Sequence, residues 1–334
     1  PEPMQRIAYF VHGRGRGHAV RTRAVLEGLD AYDVRVFGAG EALRVLRDQR
    51  SVEPVIAYAP GRNLARAFAT RVAADRRRLR ELNPCLVVSD GDGPSVHAAW
   101  SLRLPVLAVG HGLVFRHAHL PRGLSVRRSF REVVNSGSSS WPAEWRIAVH
   151  FAPAEAATAG TVVVRPDSDP GARVARPRED FLLAYFRDDD GVEALERIAK
   201  RGHRVVLFGT PGRVPRGVEV RPPDVDAFHE TLTRCRAVVG SAGNHLPAEC
   251  AMMGIPMLAL HSRHDAEHSL NARLIETAGI GVGSTFARFG TRVLRRFEAE
   301  LDLDRSDLVV RTRAMPPASA VVPTVIDEMC RPTR

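Results

Sequence analysis

Short apolar runs alternate with stretches of helical spacing along most of the chain. "RIAYFVHG" reads as a buried strand, and "AVRTRAVLEGL" carries apolar residues at helical intervals. "DVRVFG" and "VEPVIAYAP" are further strands, and residues 63–82 form a long basic amphipathic helix. "PCLVVSDGDGP" and "LPVLAVGHG" are strands that each break into a loop containing Gly or Asp. This alternation predicts a parallel sheet covered on both faces. Between Phe115 and Trp145 the periodicity is lost: "FRHAHLPRGLSVRRSF" is basic and aromatic, and "NSGSSSWP" reads as a flexible, turn-rich segment.

"RIAVHFAP" and "TVVVRP" restore strand character, and "RPDSDPGARVARPRED" has the Pro, Gly and charge content of a linker. A second alternating series starts at "FLLAYFRD". It runs through a helix at 191–201, the strand "HRVVLFGT", a short strand near "VEVRP" and the helix "VDAFHETLTRC". The pattern predicts two tandem doubly wound α/β domains, 1–165 and 181–334, joined by a linker at 166–180. Ligands are expected at strand carboxyl ends in the cleft between them. The tail "PTVIDEMCRPTR" has two readings, closing the second domain or packing back on the first.

Composition narrows the class. A chain of 334 residues with 44% hydrophobic content suffices for two cores and is not a disordered polymer. No apolar run approaches the roughly 20 residues a membrane-spanning helix needs. "PEPMQRIAYFVHG" has no secretory signal character, so a cytoplasmic location is expected. Cys85, Cys235, Cys250 and Cys330 are scattered, which reads as reduced thiols rather than a disulfide framework or a zinc site. The net charge of +10 comes almost wholly from arginine, since Lys200 is the only lysine. Nucleic acid, phosphorylated substrates and anionic lipid all suit such a charge, and so does the Arg- and Ala-rich usage of a GC-rich genome.

The most informative stretch is "VVGSAGNHLPAECAMMGIPMLALHSRHDAEHSLNARLIETAGIGVG" at 238–283. A strand that ends in Gly-Ser-Ala-Gly and turns straight into a helix exposes unpaired amides at the helix N-terminus. Those N–H groups and the helix dipole suit an anion such as diphosphate. Gly240 and Gly243 permit close backbone approach, and Pro247 sits where its missing donor costs little. Glu249 would be repelled by the same anion unless it accepts hydrogen bonds from a ribose diol; a buried salt bridge is the alternative.

These residues resemble the donor-binding half of GT-B glycosyltransferases of families 1 and 28. Members include plant UDP-sugar transferases, macrolide glycosyltransferases and the N-acetylglucosaminyltransferase of the peptidoglycan lipid precursor. The shared pattern is a small-residue turn, a later Glu, Gly-x-Pro, an apolar strand, an acidic residue followed by Gln, and Asn-Ala. Here it falls on Ser241, Gly243, Glu249, Gly254 with Pro256, Glu267 with His268, and Asn271 with Ala272. The resemblance implies a GT-B fold and amides from Ser241 through Ala242, Gly243 and Asn244 to His245 on the donor diphosphate. Glu249 would hold the ribose hydroxyls, with Glu267 and His268 facing the sugar. His268 stands where many members have Gln and Ser241 where plant members have His, which leaves the donor sugar open. Asn271 reads equally as a site residue and as an internal brace.

"FVHGRGRGHAVRTRAVL" carries Gly13, Gly15 and Gly17 followed by His18, which is not GxGxxG spacing. It resembles the Gly-rich loop of the same transferases, whose final Gly-His sets an imidazole at the interdomain cleft. A helix start favours a neutral ring, able to take the proton of an attacking hydroxyl; capping the helix is the plainer role. The family implies an orienting Asp, and Asp90 stands at such a strand end, with Asp92 close behind and an Asx turn as its alternative. His111, which ends the next strand, is assigned to acceptor contact. Arg14 and Arg16 suit either a phosphate or solvent.

The resemblance implies an inverting hexosyltransferase that uses no metal and no cofactor, the nucleotide sugar (UDP or TDP) being a co-substrate. The first domain would bind the acceptor, a small molecule or a lipid-linked one, and the second the donor. A UDP-sugar 2-epimerase of the same fold is the alternative. The third class, a nucleic-acid binder, lacks any zinc-finger, helix-turn-helix or aromatic RNA-binding signature. The segment with Phe115, Leu120, Phe130, Trp141 and Trp145 lies where acceptor loops belong. It either touches the inner membrane face peripherally or lines an aglycone pocket.

Overall fold

The computed structural model describes residues 4–13, 16–47, 51–57, 63–121, 124, 126–167, 178–186 and 191–331. Arg14 and Gly15 of the first loop, and the side chain of Arg16, lie outside them.

The first sheet has seven strands: β1 (Arg6–Val11), β2 (Asp33–Gly38), β3 (Val52–Pro54), β4 (Leu86–Asp90), β5 (Val106–Gly110), β6 (Trp145–Val149) and β7 (Thr161–Val164). Their order is β3-β2-β1-β4-β5-β6-β7. The second sheet holds β8 (Glu179–Tyr185), β9 (Val205–Phe208), β10 (Glu219–Arg221), β11 (Cys235–Ser241), β12 (Met257–His261) and β13 (Gly281–Thr285), ordered β10-β9-β8-β11-β12-β13. Every pairing is parallel. Strand order reverses between β1 and β4 and again between β8 and β11, so each sheet opens a crevice at its carboxyl edge there. The central strands β4 and β5 are buried at every position, because helices cover both faces.

Helices α1 (Arg16–Leu26), α2 (Glu41–Val45), α3 (Leu64–Leu82), α4 (Gly93–Ser101), α5 (Val114–His117) and α6 (Val126–Ser138) belong to the first unit. The second has α7 (Val192–Lys200), α8 (Val225–Leu232), α9 (His245–Met253), α10 (Ala266–Thr277) and α11 (Thr291–Glu300), followed by α12 (Ser306–Ala314) and α13 (Ala318–Cys330). The two-sheet α/β architecture is the GT-B fold. The first sheet's last strand ends at Val164 and the second sheet's first begins at Glu179.

Three places depart from or complete the sequence pattern. Among the described residues of "VEPVIAYAP", only Val52–Pro54 pairs as a strand. The "NSGSSSWP" segment is not loose: α6 runs to Ser138. Its serines bond back to the helix, Ser140 Oγ to the Ser136 carbonyl at 2.6 Å and Ser138 Oγ to that of Asn135 at 2.7 Å. Gly137 is a packing residue, since a Cβ there would stand 2.7 Å from Arg116 Nη1. The tail takes the second of its two readings. While α12 lies against α9, α13 crosses to the first unit, where Val322, Val325 and Ile326 share a core with Ile7, Val25 and Leu29. Among the described residues no helix is long and apolar enough to cross a membrane.

Candidate active site

Parallel register brings the two candidate catalytic side chains together. β1 and β4 are neighbours with Val11 opposite Asp90, and α1 starts just beyond β1, so His18 in its first turn faces the end of β4. His18 Nδ1 stands 2.6 Å from Asp90 Oδ1. Asp90 is fully buried, whereas the His18 side chain is 27% exposed and open to the cleft. Burial alone would raise the Asp90 carboxyl, but the Arg21 guanidinium and His18 outweigh it and hold it below its usual range. An ionised carboxylate only accepts, so Nδ1 carries the ring proton and the Nε2 of a neutral imidazole keeps its lone pair.

Gly91 makes room for that ring. Its φ is +71°, and a Cβ there would lie 2.5 Å from His18 Cε1. Arg21, one helical turn beyond His18, is 2% exposed. Its Nε donates to Asp90 Oδ2 at 2.9 Å and its Nη2 to Oδ1, while Thr22 Oγ1 reaches Oδ2 at 3.3 Å. Asp90 is therefore a carboxylate shared between an imidazole and a guanidinium. The sequence offers no pointer to Arg21 beyond its i, i+3 spacing from His18, which puts the two on one face of α1. Asp92 has other work: it caps α4 through Ser95 N–H and accepts from the buried Arg71.

The second unit contributes the opposite wall. β11 ends at Ser241; Ala242 is buried and Gly243 opens on free space, with no atom within 4 Å of a built Cβ. Asn244 precedes α9 without a side-chain cap bond, so the first-turn amides of α9 are not closed off by it. Gly17 touches this end: a Cβ on it would stand 3.0 Å from His245 Cε1. The N-termini of α1 and α9 thus converge at the cleft. The Nε2 of His245 is buried with no partner, and burial, with Arg21, His18 and His111 nearby, lowers its pKa to about 4.

Glu249, 7% exposed, receives His229 Nε2 of α8 on Oε1 at 3.0 Å. His229 is a neighbour the sequence did not suggest. Glu267 is exposed in the first turn of α10, and the His268 amide donates to the capping Asp265 at 2.9 Å. Asn271, fully buried, takes its place as a brace: Nδ2 donates to the Ala242 carbonyl at 3.0 Å, and Oδ1 faces His111 Nε2 at 2.9 Å. His111 Nδ1 faces the Val149 carbonyl at 2.8 Å. Both His111 nitrogens are engaged here, and the ring ties β5 and β6 to the donor-side loop rather than offering a free nitrogen to an acceptor.

Comparisons with known proteins identify the family and the fold. The sequence profile described as "Glycosyl transferase family 1" matches residues 5–302. No curated protein matches the chain in sequence. Solved structures share its fold: MurG of Acinetobacter baumannii has 16% identity and a TM-score of 0.69, with 98% of this chain and 100% of that one covered. The glycosyltransferase SnogD of Streptomyces nogalater has 19% identity and a TM-score of 0.63 at the same coverage. SsfS6 of Streptomyces sp. SF2575, complexed with thymidine diphosphate, has 17% identity and a TM-score of 0.63, with 97% and 99% covered. With nearly its whole length inside that profile, the chain belongs to glycosyl transferase family 1 and is a glycosyltransferase of the GT-B fold.

Proposed function

We propose that the protein transfers a hexose from a nucleoside diphosphate donor, UDP- or TDP-linked, to an acceptor hydroxyl, with inversion and without a metal ion. The observation that carries the reading is the His18–Asp90 pair facing the uncapped start of α9 across one cleft. In this reading His18 Nε2 takes the acceptor proton as that oxygen bonds the anomeric carbon. The bond from that carbon to the diphosphate breaks on the opposite face. Negative charge then grows on the diphosphate, where the amides from Ser241 to His245 stabilise it as an oxyanion site does. Asp90 orients the imidazole and offsets the charge it acquires. Glu249 takes the ribose hydroxyls, and Glu267 with His268 faces the sugar. The thymidine diphosphate carried by SsfS6 makes TDP a donor nucleotide to try beside UDP.

The acceptor would approach past α5 and α6. Phe130 and Val134, 69% and 54% exposed, lie one turn apart on α6 beside the exposed Arg131. The end of α6 touches α4 through His97 Nε2 and the Ser138 carbonyl, next to the exposed Trp100 and Trp141. An apolar face with adjoining arginine supports a lipid-linked acceptor met at an anionic surface of the cytoplasmic membrane.

Calorimetry with UDP and TDP in a chelator tests the core of the proposal. Binding is expected for at least one of them. His18→Gln should retain that affinity within about twofold and lose roughly 10²- to 10⁴-fold in kcat. Absence of affinity for any nucleoside diphosphate would overturn it.

A further inference from the structure

Two thiols far apart in sequence meet on the side of the first sheet away from the cleft. Cys85 immediately precedes β4, and Cys330 is the last residue of α13. Their Sγ atoms are 3.4 Å apart across 245 positions of sequence, and both are free thiols here. The scattered spacing of the cysteines in sequence hides this pair, because only the return of α13 to the first unit creates it.

The surroundings hold the pair in place. The Cys85 amide and thiol both face the Arg6 carbonyl, at 2.9 and 3.2 Å. Gln5 Nε2 donates to the Cys330 carbonyl at 3.1 Å, and the Tyr32 hydroxyl to Asp327 at 2.6 Å. Cys85 is partly exposed and Cys330 is buried. The hydrogen bond from Cys330 lowers the Cys85 thiol to about 7, while the same contact raises Cys330. Cys85 is therefore the nucleophile and Cys330 the resolving thiol. Burial raises Cys235 to about 12 and Cys250 well above the usual thiol value, so neither competes.

We propose that Cys85 and Cys330 form a reversible disulfide, by exchange with a low-molecular-weight disulfide, that fastens the C-terminal helix to the first sheet. The Cys85 thiolate attacks one sulfur of the small disulfide, whose S–S bond breaks, and the departing thiolate takes up a proton. Cys330 then gives up its proton and attacks the Cys85 sulfur, expelling the second small thiol. Two protein thiols are oxidised to one disulfide, and one small disulfide is reduced to two thiols. The sulfurs have to close from 3.4 Å to about 2.05 Å, a side-chain adjustment at the end of a helix. The link closes a loop that runs from β4 through the whole second unit, 245 positions, so it restricts the unfolded chain strongly. It rests on no step of the sugar chemistry.

The test equilibrates the full chain with oxidised and reduced glutathione, then blocks free thiols and maps peptides by mass. The expected result is loss of two of the four thiols, a mass lower by two hydrogens and one cross-linked peptide pair joining Cys85 to Cys330. The melting midpoint should rise by roughly 5–8 °C, and dithiothreitol should reverse it. Cys85→Ser and Cys330→Ser should each abolish link and shift; the wild-type map decides the matter even if a variant folds poorly. Four blockable thiols under oxidising glutathione, a glutathione adduct that stays on Cys85, or a link between two chains would each overturn the proposal.

Discussion

Gly91 has a left-handed φ of +71°, and its missing Cβ is the space the His18 ring occupies. Gly91→Ala therefore meets two penalties. The backbone costs about 1–2 kcal/mol in that region, and the new methyl displaces the imidazole from Asp90. Steady-state kinetics should show kcat reduced at least tenfold with the donor KM little changed, and calorimetry a melting midpoint lower by only a few degrees. A kcat within twofold of wild type would mean that the ring's present position does not matter. The meeting of His18 and Asp90 was legible in the sequence through the family resemblance, which pairs a Gly-His at the first helix start with an Asp at a later strand's carboxyl end, and doubly wound sheets gather such positions. Arg21 was not, because arginine defaults to the surface and only the fold reveals a 2% exposed guanidinium on Asp90. His111 was placed correctly at a strand end, yet its partner Asn271 lies 160 residues further along. No local pattern announces a contact of that range.

Among the elements, parallel strands were the easiest to read, since burial on both faces leaves them apolar throughout. α6 was hidden. Gly137 and three serines dilute its helical signal, and what holds it is tertiary: back-bonded hydroxyls and the space left for Arg116. The same helix and the turn after it carry the prediction for the acceptor side. Replacing Phe130 and Trp141 with Glu should lower co-sedimentation with phosphatidylglycerol vesicles by about tenfold or more, because burying each ring contributes roughly 1.5 kcal/mol even when immersion is incomplete. Nucleotide affinity should not change. Equal sedimentation of the variant and the parent would remove the lipid-surface reading and leave a soluble aglycone.

Across the whole molecule, buried histidines set the response to acid. Burial lowers His117 and His245 to about 4, and it also holds His150 well below the ordinary 6.5. The folded form thus binds fewer protons than the unfolded chain below pH 6.5. Stability is complete above that value and is lost as pH falls toward 4. Each group contributes at most about 1.4 kcal/mol per pH unit, and the partly open edge of His245 reduces its share. The rings thus cost roughly 2–4 kcal/mol between pH 7 and 5, while Asp75, whose carboxyl burial raises to about 6, takes up a proton in the same window and returns roughly 1 kcal/mol. The net fall is read from urea midpoints, and midpoints that stay level or rise toward pH 5 would contradict neutral interior rings.

The final helix has a consequence for how such a chain is made. Val322, Val325 and Ile326 complete the core around Ile7 and Val25, so the lobe synthesised first is finished last. Until α13 clears the ribosome, an apolar stripe on the opening half lies uncovered, and the nascent polypeptide needs shielding while the second lobe is made. A gene cut between the lobes would strand that half without its closing piece. A circular permutant that carries the last helix ahead of Met4 would instead let the first lobe close as it emerges.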